Sequence, residues 1–310
     1  QSKGWLVGEE NAGLHAMFTM MNNARLGVGI EGLSQCELAT QKALEFAKTR
    51  KQGNAKIDNG KGVILDHPDV RRMIIMMKSL TAAVRALCLD AALSLDLSKS
   101  NDKQVATKEN IRASFLIPIA KAFSTEIGCR VADIGIQVHG GMGYVEETGV
   151  AQVLRDVRVT AIYEGTNGIQ AIDLIGRKLS DSGKAANGLI NEIKLTISEC
   201  YDQTDLQIKE MGSKLSKSLV CLETSLNWML GQEDFNERLA GASPFLKAFG
   251  FILGGNYLIK AALKTCSLDR KSLAQFYCLN VLPEMQACGA ISQSGKESLY
   301  EYSDQFFGFS

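Results

Sequence analysis

The sequence predicts an all-α protein: a bundle of long helices followed by a second helical domain, with one remnant of β-strand at the N-terminal end. Three observations carry that prediction. Apolar residues recur at three- and four-residue intervals along nearly the whole chain. Only four prolines interrupt its 310 residues. Strand-like residues bounded by glycine are confined to Gly4-Trp5-Leu6-Val7-Gly8. The length is sufficient for two domains with a sizeable core.

The opening strand followed by Gly8-Glu9-Glu10-Asn11-Ala12-Gly13 reads as the last piece of something larger. Leu14, Met17, Phe18 and Met21 then fall on one face of a helix that continues through Leu33 and Leu44 to about Arg50. Gly53 to Gly62 is a polar loop. Asp66-His67-Pro68 starts a second helix, with Met73, Met76, Met77, Leu80, Val84, Leu87 and Ala91 on one side. Ser98 to Lys108 is a polar break. A third helix runs from about Glu109 to Val138, and Pro118 inside it is expected to kink it or to end a short leading turn. A glycine-rich corner, a short helix near 150–158 and a helix from Asn167 to Leu179 follow, the last capped by Thr166 or Asn167. Long helices joined by short polar loops make a bundle.

Ser180 to Gly188 is the expected domain boundary. Beyond it Leu215, Leu219, Leu222, Leu226 and Met229 form a helical stripe. Ser243-Pro244 starts a helix, and Asp269 caps another that Pro283 bends or breaks. No chemistry-bearing motif stands in this region, which reads as a packing or oligomerisation domain.

Composition excludes several functions. Lys+Arg and Asp+Glu both number 34, so net charge gives no reason to expect a nucleic-acid or membrane partner. No apolar run approaches the roughly 20 residues that cross a bilayer, and the N-terminus lacks the order of a secretory signal. The eight cysteines are scattered without a C-x-x-C pair, which suits reduced thiols and a cytoplasmic setting. With His15, His67 and His139 far apart, no metal site is expected.

Two segments point to chemistry. Glu164 stands between Tyr163 and Gly165, after Ala161-Ile162. An acid in an apolar approach, followed by a glycine-opened turn, suits a general base that must reach a C–H proton away from water. A surface Glu near a helix start is the structural alternative. Gln137-Val138-His139-Gly140-Gly141-Met142-Gly143-Tyr144 places three glycines in four residues after a helix. A C-cap needs one of them; the others would let backbone N–H groups approach a phosphate.

Taken together, Q-V-H-G-G-M-G-Y, L-R-D-V-R-V-T-A-I-Y-E-G-T and M-M-N-N-A-R-L-G-V-G resemble the acyl-CoA dehydrogenases. The likeness is greatest to the branch with an extra C-terminal helical domain, which includes 3-methylmercaptopropionyl-CoA dehydrogenases. The resemblance implies that residues 1–12 end a middle β-domain, that 13–180 form the C-terminal bundle, and that 189–310 form the additional domain. It implies FAD as cofactor and Glu164 as the base that takes the substrate α-proton while a hydride leaves the β-carbon. Cofactor contacts carry over to Arg50, Gln52, Gln137, Gly140, Gly141 and Thr166, the corner residues serving the FAD of a neighbouring subunit. Contacts to substrate carry over to Asn22, Arg25 and Gly165. Arg155, Asp156 and Arg158 are expected to form ion pairs that fix the loop. The implied partners are an acyl-CoA, an electron-transferring flavoprotein as acceptor, and further copies of the chain in a dimer or tetramer. A 310-residue piece alone is expected to lack a complete pocket and to be inactive. Two other readings stay open: a non-catalytic flavoprotein of the same fold acting in alkylation-damage response, and a bundle that only assembles subunits.

Overall fold

Three long helices form the frame: α1 (Gly13–Thr49), α2 (Pro68–Leu97) and α3 (Lys103–His139). The computed structural model describes residues 1–265 and 267–308. The side chains of Leu14, His15, Ala16, Phe18 and Thr19 lie outside the described residues, and so does Cys266; the predicted stripe can therefore be followed only from Met17 and Met21 onward.

Pro68 occupies the first position of α2, where its missing N–H costs nothing. α3 begins earlier than its apolar pattern suggests, because Asp102 accepts the N–H groups of Gln104 (2.8 Å) and Val105 (3.3 Å). It then runs on through Pro118, which does not end a short leading turn there. α1 and α3 approach closely: a Cβ on Gly32 would lie 2.8 Å from the Ser124 carbonyl oxygen.

After the glycine corner come α4 (Gly141–Tyr144), α5 (Val150–Thr160) and α6 (Asn167–Asp173), the last continuing as a π-helical turn over Leu174–Lys178. Thr166 caps α6 by accepting the Ile169 N–H at 3.3 Å. The second region holds α7 (Lys184–Tyr201), α8 (Leu206–Gly231), α9 (Phe235–Ala240), α10 (Ala242–Lys264), α11 (Leu268–Asn280), α12 (Pro283–Ile291) and α13 (Glu297–Tyr300). Its α11 is capped by Ser267 rather than Asp269, and Pro283 starts α12 instead of breaking a helix.

One expectation is corrected. No strand occurs among the described residues. Trp5, Leu6 and Val7 are exposed, and a lone extended segment has no ladder to join. The link between the two helical regions falls within the expected 180–188 stretch, α7 starting at Lys184.

The core does not stop at that link. α10 is buried almost all round and lies against α2, α3 and α6. Phe249 and Phe251 meet Phe115 and Phe123 of α3 edge-on, with ring centres 5.2 and 5.0 Å apart. Burying each such ring contributes about 1.5–3 kcal/mol. Arg112 of α3 bridges Asp90 of α2 and Glu192 of α7, and Tyr257 of α10 donates to Asp90 at 2.5 Å. The second region is thus fastened to the bundle by both packing and charge.

Candidate active site

The turn between α5 and α6 is held from three sides. Glu164 adopts the left-handed region (φ 55°), which a side-chain-bearing residue occupies only when its surroundings impose it, and Gly165 follows at φ 83°. Gln170, wholly buried on α6, reaches back to donate to the carbonyls of Glu164 (3.3 Å) and Gly165 (3.1 Å). A Cβ at position 165 would stand 3.0 Å from that same amide nitrogen. Tyr163 donates to the Glu31 carboxylate on α1. Asn167 ties the other side to α3: its Oδ1 accepts from Lys121 Nζ (3.1 Å) and Thr125 Oγ1 (3.2 Å), and its Nδ2 donates to the Ala122 carbonyl at 3.1 Å. The result is a rigid elbow that presents one carboxylate.

Next to it a group of charges is centred on the buried Asp173. Arg25 of α1 and Asp173 of α6 pair at 2.6 Å, and Arg177 reaches the same carboxylate at 2.5 Å. Burial works against the Asp173 charge, but the Arg177 hydrogen bond, the nearby Lys178 and the Arg25 hydrogen bond together hold its carboxyl below the usual range. Burial is also the largest influence on Lys121; with the like charge of Arg25 it pushes the ammonium down to about 8, against an opposing pull from Glu164.

A second locus lies at the far end of α3. Arg50, Gln52, Gln137, Gly140 and Gly141 line one groove of about 660 Å³, together with His67 and His139. His67 bonds the Gln52 carbonyl at 2.8 Å, which holds the loop after α1 across the start of α2. His139 is buried, stacks on Phe46 at 4.4 Å and bonds the Gly135 carbonyl through Nδ1 at 2.7 Å. Two of the three corner glycines have local reasons to be glycine. Gly140 ends α3 at φ 59°, and a Cβ on Gly143 would fall 2.3 Å from the Ile136 carbonyl oxygen. Gly141 has neither reason; nothing stands within 4 Å of a Cβ placed there, so it is the one left open to a ligand. Lys121 and His139 are about 27 Å apart along the helix axis, so elbow and groove are separate stations.

The family model described as acyl-CoA dehydrogenase, C-terminal domain, matches residues 11–180, more than half of the chain. The chain belongs to the acyl-CoA dehydrogenase family. A further model, acetyl-CoA dehydrogenase C-terminal like, matches residues 189–303. The 3-methylmercaptopropionyl-CoA dehydrogenase of Ruegeria pomeroyi is 40% identical over 84% of this chain and 45% of its own length. A broad-specificity linear acyl-CoA dehydrogenase of Mycobacterium tuberculosis is 26% identical over 99% of this chain and 55% of its own. Among solved structures, the Caenorhabditis elegans protein ACDH-11, in complex with a CoA ligand, shares the fold with a TM-score of 0.74 at 22% identity, covering 88% of this chain and 45% of that one. The chain spans about half the length of the curated relatives it matches.

In this acyl-CoA dehydrogenase chain the structure gathers five of the six expected cofactor residues into the groove and leaves Thr166 at the elbow. Glu164 is exposed, not buried as expected, with the half-exposed Ile162 and Tyr163 beside it; among the described residues nothing covers that side of the turn. Asn22 is half-buried on α1. Arg25 is only 4% exposed and paired with Asp173, so its guanidinium fastens α1 to α6. Arg155 pairs with Glu146 at 2.7 Å and not with its neighbour Asp156.

Sequence reasoning missed Lys121, Gln170 and Asp173. Lys121 carried a usable signal, a single cation inside the apolar run from Phe115 to Phe123. Asp173 sits in a short helix and pairs with Arg25, 148 positions away, and Gln170 bonds backbone carbonyls of a turn whose shape local spacing does not reveal.

Proposed function

We propose that this chain supplies the base and part of the cofactor seat of an FAD-dependent acyl-CoA dehydrogenase, which converts an acyl-CoA thioester to its trans-2-enoyl form. The observation that carries the reading is the elbow: a glutamate held in a strained conformation by three neighbouring side chains, in a family that oxidises acyl-CoA thioesters. Such strain is retained where a side chain must be aimed. Glu164 would take the substrate α-proton onto its carboxylate, and the Gly165 backbone, bare of a side chain, would let the thioester approach. Asn22 is a candidate for a CoA contact, with Arg25 supporting its helix.

The groove fits part of FAD. It offers an exposed guanidinium at Arg50, amide groups at Gln52 and Gln137, and an open backbone approach at Gly141. Forked guanidinium geometry suits a pyrophosphate. Bound flavin would supply the hydride acceptor. Because the groove stands about 27 Å from the elbow, the cofactor it holds would belong to a neighbouring subunit, which makes the working unit at least a dimer. An electron-transferring flavoprotein is the proposed acceptor, and the cytoplasm the proposed setting.

In the full-length protein, Glu164→Gln should lower turnover of acyl-CoA thioesters by about 10²–10⁴-fold while flavin stays bound. Arg50→Ala should release flavin on purification. Unchanged turnover in the first variant would remove Glu164 from the chemistry.

A further inference from the structure

Lys121 has no place in the reading above. It is the one lysine among the described residues that is fully buried, and it lies at the middle of α3. Its Nζ has a single recorded protein partner, Asn167 Oδ1 at 3.1 Å, and it forms no ion pair among the described residues. Of the charges on the elements packed around α3, two act on it: Arg25 from α1 and Glu164 from the elbow. Asp173 of α6 is held by Arg25 and Arg177, Lys247 of α10 by Glu126, and Cys88 of α2 is bonded to Ser124. A buried ammonium is costly, and one kept without a carboxylate at contact distance asks for a reason.

We propose that Lys121 is the positioning residue of the Glu164 elbow: from inside α3 its ammonium fixes Asn167, three residues past the base, and faces Glu164 with the buried positive charge. The inference rests on Glu164 being the base. Asn167 is the hinge of the arrangement, since its backbone N–H also donates to the Ala161 carbonyl at 3.1 Å and so closes the turn on both sides of Glu164. Loss of the Lys121 proton removes the counter-charge and weakens the grip on Asn167 together. The ionisation at about 8 places that event within reach of a kinetic titration.

The test uses the full-length flavoprotein. Lys121→Met keeps the shape and removes the charge; Lys121→Arg keeps the charge. The expected result is a loss of about tenfold or more in kcat for K121M, with KM within about twofold, and substantial recovery in K121R. The alkaline fall in kcat should vanish in K121M and move to higher pH in K121R. Asn167→Asp sets a carboxylate against the ammonium and should also move it upward; this variant decides the matter if K121M does not fold. Equal losses in K121M and K121R with the alkaline limb unmoved would overturn the proposal. Amide hydrogen exchange over residues 161–168 separates this failure from failure of the base assignment. Faster exchange in K121M supports the positioning role even if E164Q keeps its turnover, and unchanged exchange overturns it whatever E164Q does.

Discussion

At the scale of single residues, Lys121 sets a stability cost against a functional role. Its ammonium ionises at about 8 in the folded chain, against an ordinary value of 10.5. Between those values the unfolded chain binds the extra proton, so stability rises as pH climbs from about 8 to 10.5. Below that window the full cost is present, on the order of 3 kcal/mol. Lys121→Met should therefore raise the melting temperature at pH 7 and abolish the alkaline gain, as followed by thermal unfolding across pH. A variant less stable than the parent at neutral pH would contradict this account. The lysine was visible in the sequence as a lone charge in an apolar run; its partner Asn167, 46 positions away, was not. Pairings of that range belong to tertiary structure and leave no mark in local spacing. Glu164 was legible because its neighbours Tyr163 and Gly165 are unusual company for an acid. Its exposure was not, because burial depends on what lies over the turn.

Among the elements, α6 depends most on one residue. Asp173 joins it to α1 through Arg25, and the same carboxylate takes Arg177. Asp173→Asn would leave a buried guanidinium without its counter-charge, at a cost of about 3–5 kcal/mol. Denaturant midpoints should show that loss at neutral pH. Since the Asp173 carboxyl is held below the usual carboxylate range, its contribution is fully present above that range and lost as pH falls from it through the depressed folded value. Parent and variant should therefore converge in acid, and a gap that persists there would point to a packing defect instead. Helix identity was read well from apolar period, and helix ends less well. α3 starts at Lys103 because Asp102 caps a polar first turn that apolar spacing cannot register. The Gly4–Gly8 strand failed for the opposite reason: its residues suit a ladder, but no partner strand occurs among the described residues.

For the whole molecule, the two matched regions share one core. α10 fills space against α2 and α3, and the Arg112 bridges cross the same seam. The chain should unfold in a single transition, with tryptophan fluorescence and far-ultraviolet dichroism giving one midpoint. Two separated midpoints would show the second region to be an independent unit. The apolar stripe of α8 announced a second helical region in the sequence; its attachment through Phe249 and Phe251 did not show, since a helix buried all round has no distinguishing face.

α3 carries both stations on one rod, the elbow at its middle and the groove at its end. If each cofactor is cradled by one copy and meets the base of the other, damage at the two stations is complementary. A hybrid of one E164Q copy and one R50A copy would contain one doubly crippled centre and one wholly intact. Differently tagged copies, co-expressed and purified as mixed pairs, should regain turnover that neither parent homomer shows, whereas silent hybrids would mean that a single copy furnishes both.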